Sequence, residues 1–83
     1  MAVSTKNELT DLGRLIRDER KRNALSQTEL ADLSGTSLNF VSQLEMGKKT
    51  AHLSKVLDVI GALGLQFSVE LGKKRIEIKV RQK

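Results

Sequence analysis

Hydrophobic residues in the first 64 positions recur at helical spacing, in four runs that are separated by polar or glycine-containing breaks. Leu12, Leu15 and Ile16 mark the first run and are expected to share one helical face. This run predicts a helix from about Thr10 to Asn23, with Thr10 as its N-cap.

The second and third runs are short, and capping residues bound both of them. Ser26-Gln27-Thr28-Glu29 has the form of a capping box, and Gly35 is suited to end that helix in the left-handed conformation. Ser37 is the next N-cap candidate, and Gly47 ends the third run. We therefore expect two short helices whose core-facing positions are Leu30, Ala31, Leu33, Val41 and Leu44.

A fourth helix is predicted from about His52 to Leu63, after which the hydrophobic period changes from 3.6 residues to two. Its apolar stripe, expected in the core, is Leu53, Val56, Leu57, Ile60 and Leu63. Residues 65–71 and 75–81 alternate and predict a β-hairpin, which must cover either the helices of its own chain or a second hairpin. The predicted fold is therefore mainly α, with a flexible segment at 1–9, four helices within 10–64 and a hairpin within 65–83.

Composition narrows the possible functions. The chain has 83 residues, no Cys, Tyr or Trp and one His, which excludes disulfides and leaves few groups for catalysis. A lone histidine, His52, makes no metal site, so we expect neither enzyme activity nor a cofactor. The chain also lacks a signal peptide and an apolar stretch long enough to cross a bilayer, so a cytoplasmic protein without a membrane partner is expected.

The net charge of +5 is unevenly distributed. Residues 23–47 contain three acidic residues and no Lys or Arg, whereas both flanking segments are basic. This pattern favours a neutral contact surface that basic neighbours hold against a polyanion such as nucleic acid. Ordinary solvated charge on a soluble domain is the alternative explanation.

The two short helices and their glycine-containing turn have the layout of a helix-turn-helix unit. The second helix of such a unit enters the major groove, so its exposed side chains must contact bases. Asn39 and Gln43 suit this role because an amide can pair bidentately with an adenine edge, and Ser37 can reach a base or a phosphate. Lys48 and Lys49 follow that helix, where a phosphate strand is expected.

Residues 25–31 (LSQTELA), 35–37 (GTS) and 41–48 (VSQLEMGK) resemble the phage-repressor (Xre) type of helix-turn-helix family. The resemblance covers about residues 10–64 and implies a four-helix domain like that of the lambda repressor. It also implies that Ser37, Leu38, Asn39 and Gln43 face the bases and that Arg20 pairs with Glu45. Leu38 and Phe40 depart from the family pattern, in which polar residues are common at both positions. The expected DNA-backbone contacts are Gln27, Thr36, Ser42, Lys48, Lys49 and Arg17.

The segment at 62–71 (ALGLQFSVEL) runs from a helix directly into a strand and is similar to HipB-like antitoxins. That resemblance implies strand pairing between two protomers and a HipA-like kinase toxin as partner. Because a homodimer presents its two recognition helices to successive major grooves, we expect an inverted-repeat operator on double-stranded DNA. The residues expected at the dimer interface are Phe67, Val69, Leu71, Ile76 and Ile78.

Two alternatives to an antitoxin repressor stay open: a free-standing repressor, and a protein-interaction module that has lost DNA binding. The basic residues of the hairpin fit three roles, namely edge protection, contact with outer phosphates or contact with an acidic toxin surface. These residues are Lys73, Lys74, Arg75, Lys79 and Arg81.

Overall fold

The computed structural model describes residues 5–49, 52–72 and 75–82, and the side chains of residues 10–49, 52–66 and 68. Its elements, in chain order, are α1 (Thr5–Arg22), α2 (Gln27–Ser34), α3 (Leu38–Glu45), α4 (Leu53–Ala62), β1 (Leu65–Gly72) and β2 (Arg75–Gln82). This arrangement confirms the predicted fold class of four helices followed by a hairpin. None of the helices in the described part of the chain is long and apolar enough to cross a membrane.

The predicted caps of α2 and α3 are present. The Glu29 amide donates to Ser26 Oγ at 3.0 Å, and the Ser26 amide donates to the Glu29 carboxylate at 2.9 Å. These contacts with the backbone and side chain of Ser26 lower the pKa of Glu29. Gly35 ends α2 with φ 69°, and Ser37 Oγ accepts the Phe40 amide at 3.0 Å. Local sequence therefore defines the bounds of both short helices.

Helix α1 begins at Thr5, so the prediction of Thr10 as its N-cap is wrong. Thr10 lies inside the helix, and residues 5–9 contain neither Gly nor Pro to stop the helix from extending. A good capping residue stabilises a helix end where one occurs, but it does not by itself create one.

The core lies between the four helices and the start of β1. Its buried hydrophobic residues are Ile16, Leu30, Ala31, Val41, Leu44, Val56, Val59, Ile60, Leu63 and Leu65. Four leucines that the sequence pattern placed on core faces are instead at least one-third exposed: Leu15, Leu33, Leu53 and Leu57. Helix α4 packs through Val56, Val59 and Ile60, so its core face is rotated away from Leu53 and includes a valine that the predicted stripe omitted.

The two strands form an antiparallel hairpin whose register aligns the apolar positions of the sequence. Phe67, Val69 and Leu71 are paired with Val80, Ile78 and Ile76, respectively. β1 follows α4 after Gly64, which has φ 73°, and Leu65 at its start is buried against the helices. The side chains of the five predicted dimer residues Phe67, Val69, Leu71, Ile76 and Ile78 lie outside the part that the structure describes.

Helix α1 packs so closely against the C-terminal end of α3 that no side chain fits between the two backbones at Gly13. A Cβ atom on Gly13 would lie 2.5 Å from the carbonyl oxygen of Glu45 and 2.6 Å from that of Leu44. Both are backbone atoms, so no rotamer change can relieve the contact. Gly13 therefore sets how closely α1 can pack against α3.

We predict that Gly13→Ala destabilises the protein, although alanine normally favours a helix over glycine by about 0.5–1 kcal/mol. The overpacking cost of about 1–3 kcal/mol outweighs that gain, because α1 must move away from α3. Chemical denaturation followed by circular dichroism measures the change in unfolding free energy.

Gly61→Ala in α4 is the matched control, since a Cβ there meets nothing within 4 Å. We expect this substitution to be neutral or stabilising by up to about 1 kcal/mol. A Gly13→Ala protein as stable as the Gly61→Ala protein would contradict the proposed contact.

Candidate nucleic-acid interface

The turn between α2 and α3 is held by hydrogen bonds within the chain. The Thr36 amide donates to the Ala31 carbonyl at 2.9 Å, and the Thr36 hydroxyl lies 2.8 Å from Ser34 Oγ. Because Ser34 Oγ donates its only proton to the Leu30 carbonyl at 2.8 Å, the Thr36 hydroxyl is the donor to Ser34. Both donors of Thr36 are thus used within the turn, and a phosphate contact by Thr36 would have to replace one of them.

A buried ion pair joins α1 to the last residue of α3. Arg20 Nε donates to Glu45 Oε2 at 2.6 Å and Arg20 Nη2 donates to Glu45 Oε1 at 3.0 Å, in a bidentate pair. The two side chains are only 11% and 4% exposed. The hydrogen bond to Glu45 raises the pKa of Arg20, against the opposing effect of burial. Arg20 Nη1 also donates to the Leu25 carbonyl at 2.8 Å, which connects α1 to the segment that precedes α2.

Gln27, at the start of α2, belongs to the same network. Its Nε2 donates to Glu45 Oε1 at 3.2 Å, so the Glu45 carboxylate accepts three hydrogen bonds from two elements. This bond uses one of the two Nε2 protons and leaves the second for another acceptor. Arg20, Gln27 and Glu45 thereby fix α1, α2 and α3 relative to one another.

The side chains of α3 that point away from the core are uncharged and polar, apart from Leu38. Asn39 and Gln43 are both exposed, and Gln43 Nε2 donates to Asn39 Oδ1 at 3.3 Å. That bond leaves the Asn39 amide nitrogen as a donor and Gln43 Oε1 as an acceptor for an external partner. Leu38 is 50% exposed, and Ser37 caps the helix while also lying at the surface.

These residues, apart from Leu38, form one wall of a groove of about 390 Å³. Asn39 and Gln43 contribute polar groups from α3 and Ser37 one from its N-cap, and Phe40 and Leu44 complete that part of the lining. The remaining described residues of the lining follow α3 or begin α4, and none of them is acidic: Lys48, Lys49, His52 and Lys55. The groove therefore combines neutral hydrogen-bonding side chains with a strongly basic wall.

The turn that ends α3 places Lys48 and Lys49 beside the side-chain amides of Asn39 and Gln43. Gly47, with φ 76°, donates its amide to the Leu44 carbonyl at 3.0 Å, and the Lys48 amide donates to the Gln43 carbonyl at 3.1 Å. Lys48 and Lys49 are exposed. Among the other predicted backbone contacts, Arg17 is exposed on α1 and does not line the groove, while Ser42 is half-buried on α3.

The sequence pattern gave no sign of Lys55 as a member of this surface, and it indicated for His52 only a position at the start of the fourth helix. Neither belongs to the segment between Ser26 and Lys49 that carries the motif. Only the packing of α4 against the rest of the domain brings the two residues to the groove. No group of three His, Asp or Glu that could hold a metal occurs among the described residues.

Two short helices at a glycine turn, with the second presenting polar side chains beside a basic wall, define a helix-turn-helix protein. Residues 16–69 match the family model HTH_3, described as helix-turn-helix, and this match spans more than half of the chain. The chain therefore belongs to the helix-turn-helix family.

Three relatives agree with this assignment. The HTH-type transcriptional regulator y4mF of Sinorhizobium fredii is 44% identical over 59 residues, which are 71% of this chain and 78% of that protein. The immunity repressor protein of Bacillus phage phi105 is 31% identical over 78% of this chain, but the match spans only 45% of the repressor. The restriction-modification controller protein C.AhdI from Aeromonas hydrophila has a similar structure, with a TM-score of 0.66 and 31% identity over 74% of this chain and 88% of the controller.

We predict that Glu45→Gln lowers the unfolding free energy by about 3–5 kcal/mol, because it leaves the guanidinium of Arg20 buried without a counter-charge. Equilibrium urea unfolding measures the loss. The matched control is Arg22→Gln, which breaks the 3.5 Å pair of an exposed arginine with Glu19 and should cost less than about 1 kcal/mol. Equal effects of the two substitutions would show that the buried pair contributes no more to the unfolding free energy than the exposed pair does.

Proposed function

We propose that this protein is a sequence-specific DNA-binding transcriptional repressor in which α3 enters the major groove. The observation that carries the proposal is the exposed amide pair of Asn39 and Gln43, which lies beside the lysines of the groove. The buried Arg20–Glu45 ion pair holds α3, and with it this amide pair, in that position. The names of the relatives, a transcriptional regulator, an immunity repressor and a controller protein, support a regulatory role. A repressor acts by binding DNA rather than by catalysis. We expect this one in the cytoplasm, where its DNA target lies.

The proposed contacts divide into two classes. Base edges are contacted from α3 and its N-cap by Ser37, Leu38, Asn39 and Gln43. Leu38 offers apolar contact, for example with a thymine methyl group, where a polar side chain would form a hydrogen bond. The sugar-phosphate backbone is contacted by Gln27, Ser42, Lys48, Lys49 and Arg17, with Thr36 joining them only if its internal hydrogen bonds are exchanged.

The acidic character of residues 23–47 does not argue against DNA binding. Arg20 neutralises Glu45 inside the protein, and Glu29 caps α2. Asp32, the third acidic residue, is exposed on α2, and none of the three carboxylates belongs to the described lining of the groove, whose charged side chains are lysines. The negative charge of residues 23–47, which motivated the interpretation as an interaction module, therefore does not lie at the groove, and the DNA-binding test below distinguishes the two functions.

The absence of Lys and Arg from residues 23–47 predicts which base pairs the protein prefers in its DNA target. Guanine is most often recognised by a bidentate arginine or lysine, which α3 does not carry. Asparagine and glutamine pair with adenine, so half-sites that contain A·T pairs are expected at the positions facing α3.

Selection of bound duplexes from a random pool, followed by fluorescence anisotropy on the selected duplex and on a scrambled one, tests the proposed function. We predict that Asn39→Ala weakens binding to the selected duplex by about 1–3 kcal/mol and relaxes the preference at one base pair. Wild-type protein that binds all duplexes alike, or none, would exclude the repressor function.

The hydrogen bond between Gln43 and Asn39 also predicts that their effects are coupled. After Asn39→Ala, the further change Gln43→Ala should cost less than it does in the wild-type background, because each amide orients the other. Equal losses on selected and scrambled duplexes would instead place Asn39 at the DNA backbone.

A homodimer on an inverted repeat completes the proposal. The cross-strand pairing of Phe67 with Val80 and of Val69 with Ile78 aligns apolar positions that an isolated hairpin cannot bury alone. Two copies would then place their α3 helices in successive major grooves, roughly 34–36 Å apart.

We predict that replacing Phe67 and Val69 together by glutamate gives monomers with poor affinity for the inverted repeat. Sedimentation equilibrium measures the oligomeric state, and Gln66→Glu, at an exposed position of the same strand, is the matched control. If the double variant is still a dimer, the dimer interface lies elsewhere in the chain.

The narrower assignment as an antitoxin depends on the direct passage from α4 into β1, the feature shared with HipB-like proteins. Copurification of a kinase-sized protein encoded beside this gene would support an antitoxin, whereas its absence would favour a free-standing repressor.

A further inference from the structure

We propose that Lys55 is a DNA-backbone contact and that the ring of Phe40 is the positioning residue that holds it there. This inference rests on the proposed function, since it assigns a role within the same DNA-binding surface.

The two residues meet across the groove from different helices. Lys55 Nζ lies 5.9 Å from the centroid of the Phe40 ring, within the range of roughly 6 Å in which an aromatic face attracts a cation. Phe40 is partly buried and packs against the core, so its ring has a fixed position. Lys55 is exposed in the first turn of α4, where its long side chain would otherwise sample many rotamers.

The surroundings of Lys55 favour an anion as its partner. It shares the groove lining with Lys48 and Lys49, and none of the described lining residues is acidic. The first turn of α4 likewise contains no acidic residue, so the positive end of the helix adds to the field of the three lysines. A phosphate beside Asn39 and Gln43 would relieve the repulsion among these cations.

An apolar ring is a suitable support for such a cation. Phe40 attracts the ammonium without using any of its three N–H donors, all of which stay available for phosphate oxygens. A carboxylate in the same place would hold the lysine but would also cancel its charge. Phe40 therefore restricts the rotamers of Lys55 while preserving its affinity for DNA.

The test measures how binding to the selected duplex and to the scrambled duplex depends on salt between 50 and 200 mM. Loss of one phosphate contact should reduce the slope of log K against log salt by about 0.9 per protomer. We expect Lys55→Gln to show this reduction on both duplexes, and the affinity ratio across that salt range should shrink about threefold per protomer. Lys55→Arg, the matched control, keeps the charge and the ring contact and should retain the wild-type slope.

A double-mutant cycle tests the positioning role of Phe40. Phe40→Leu retains apolar volume but removes the ring, and it should weaken DNA binding in the wild-type background and have no further effect beside Lys55→Gln. An equal effect in both backgrounds would show that Phe40 acts only through packing, and would overturn its role. Thermal unfolding of each variant separates lost binding from lost folding.

The outcomes distinguish this inference from the function on which it rests. Wild-type protein without specific, salt-dependent binding would refute the repressor function and this inference with it. Specific binding by the wild type, together with an unchanged slope for Lys55→Gln, would refute only the role of Lys55.

Discussion

The placement of α3 depends on one buried interaction, the bidentate pair between Arg20 and Glu45. It joins α1 to the end of α3, and through Leu25 and Gln27 it also includes the segment around the start of α2. A buried charge pair is not in general the most stabilising choice for a protein interior. Its directional hydrogen bonds, however, allow only a narrow range of helix orientations, which apolar contacts alone do not ensure.

Close backbone packing supplements this ion pair at the same place. Gly13 lets α1 approach the carbonyl groups of Leu44 and Glu45, so the carboxylate of Glu45 comes within reach of the guanidinium. The apolar residues Val41 and Leu44 then hold the inner side of α3, and Asn39 and Gln43 remain at the surface. Helix orientation, burial and exposure of the polar side chains thus follow from a few contacts between α1 and α3.

The proposed interface separates recognition from electrostatic attraction. The outward side of α3 carries amides and a hydroxyl besides Leu38, and the proposed cationic contacts lie on other segments, Lys48 and Lys49 after α3, Lys55 on α4 and Arg17 on α1. Neutral groups discriminate among bases by hydrogen-bond pattern, whereas lysines bind phosphates regardless of sequence. In the proposed interface, this division would let the affinity for DNA and the choice of operator change independently.

The sequence by itself determined the caps at Ser26, Gly35 and Ser37 and the change to strand period after Gly64, because these features depend on neighbouring residues. It also predicted that Asn39 and Gln43 lie opposite the Val41 and Leu44 stripe. Only the tertiary structure decided that Leu33 and Leu53 are exposed, that Gly13 permits a helix contact and that Lys55 meets Phe40. Periodicity shows which residues share a helical face, but the rotation of each helix against its neighbours decides which part of that face is covered.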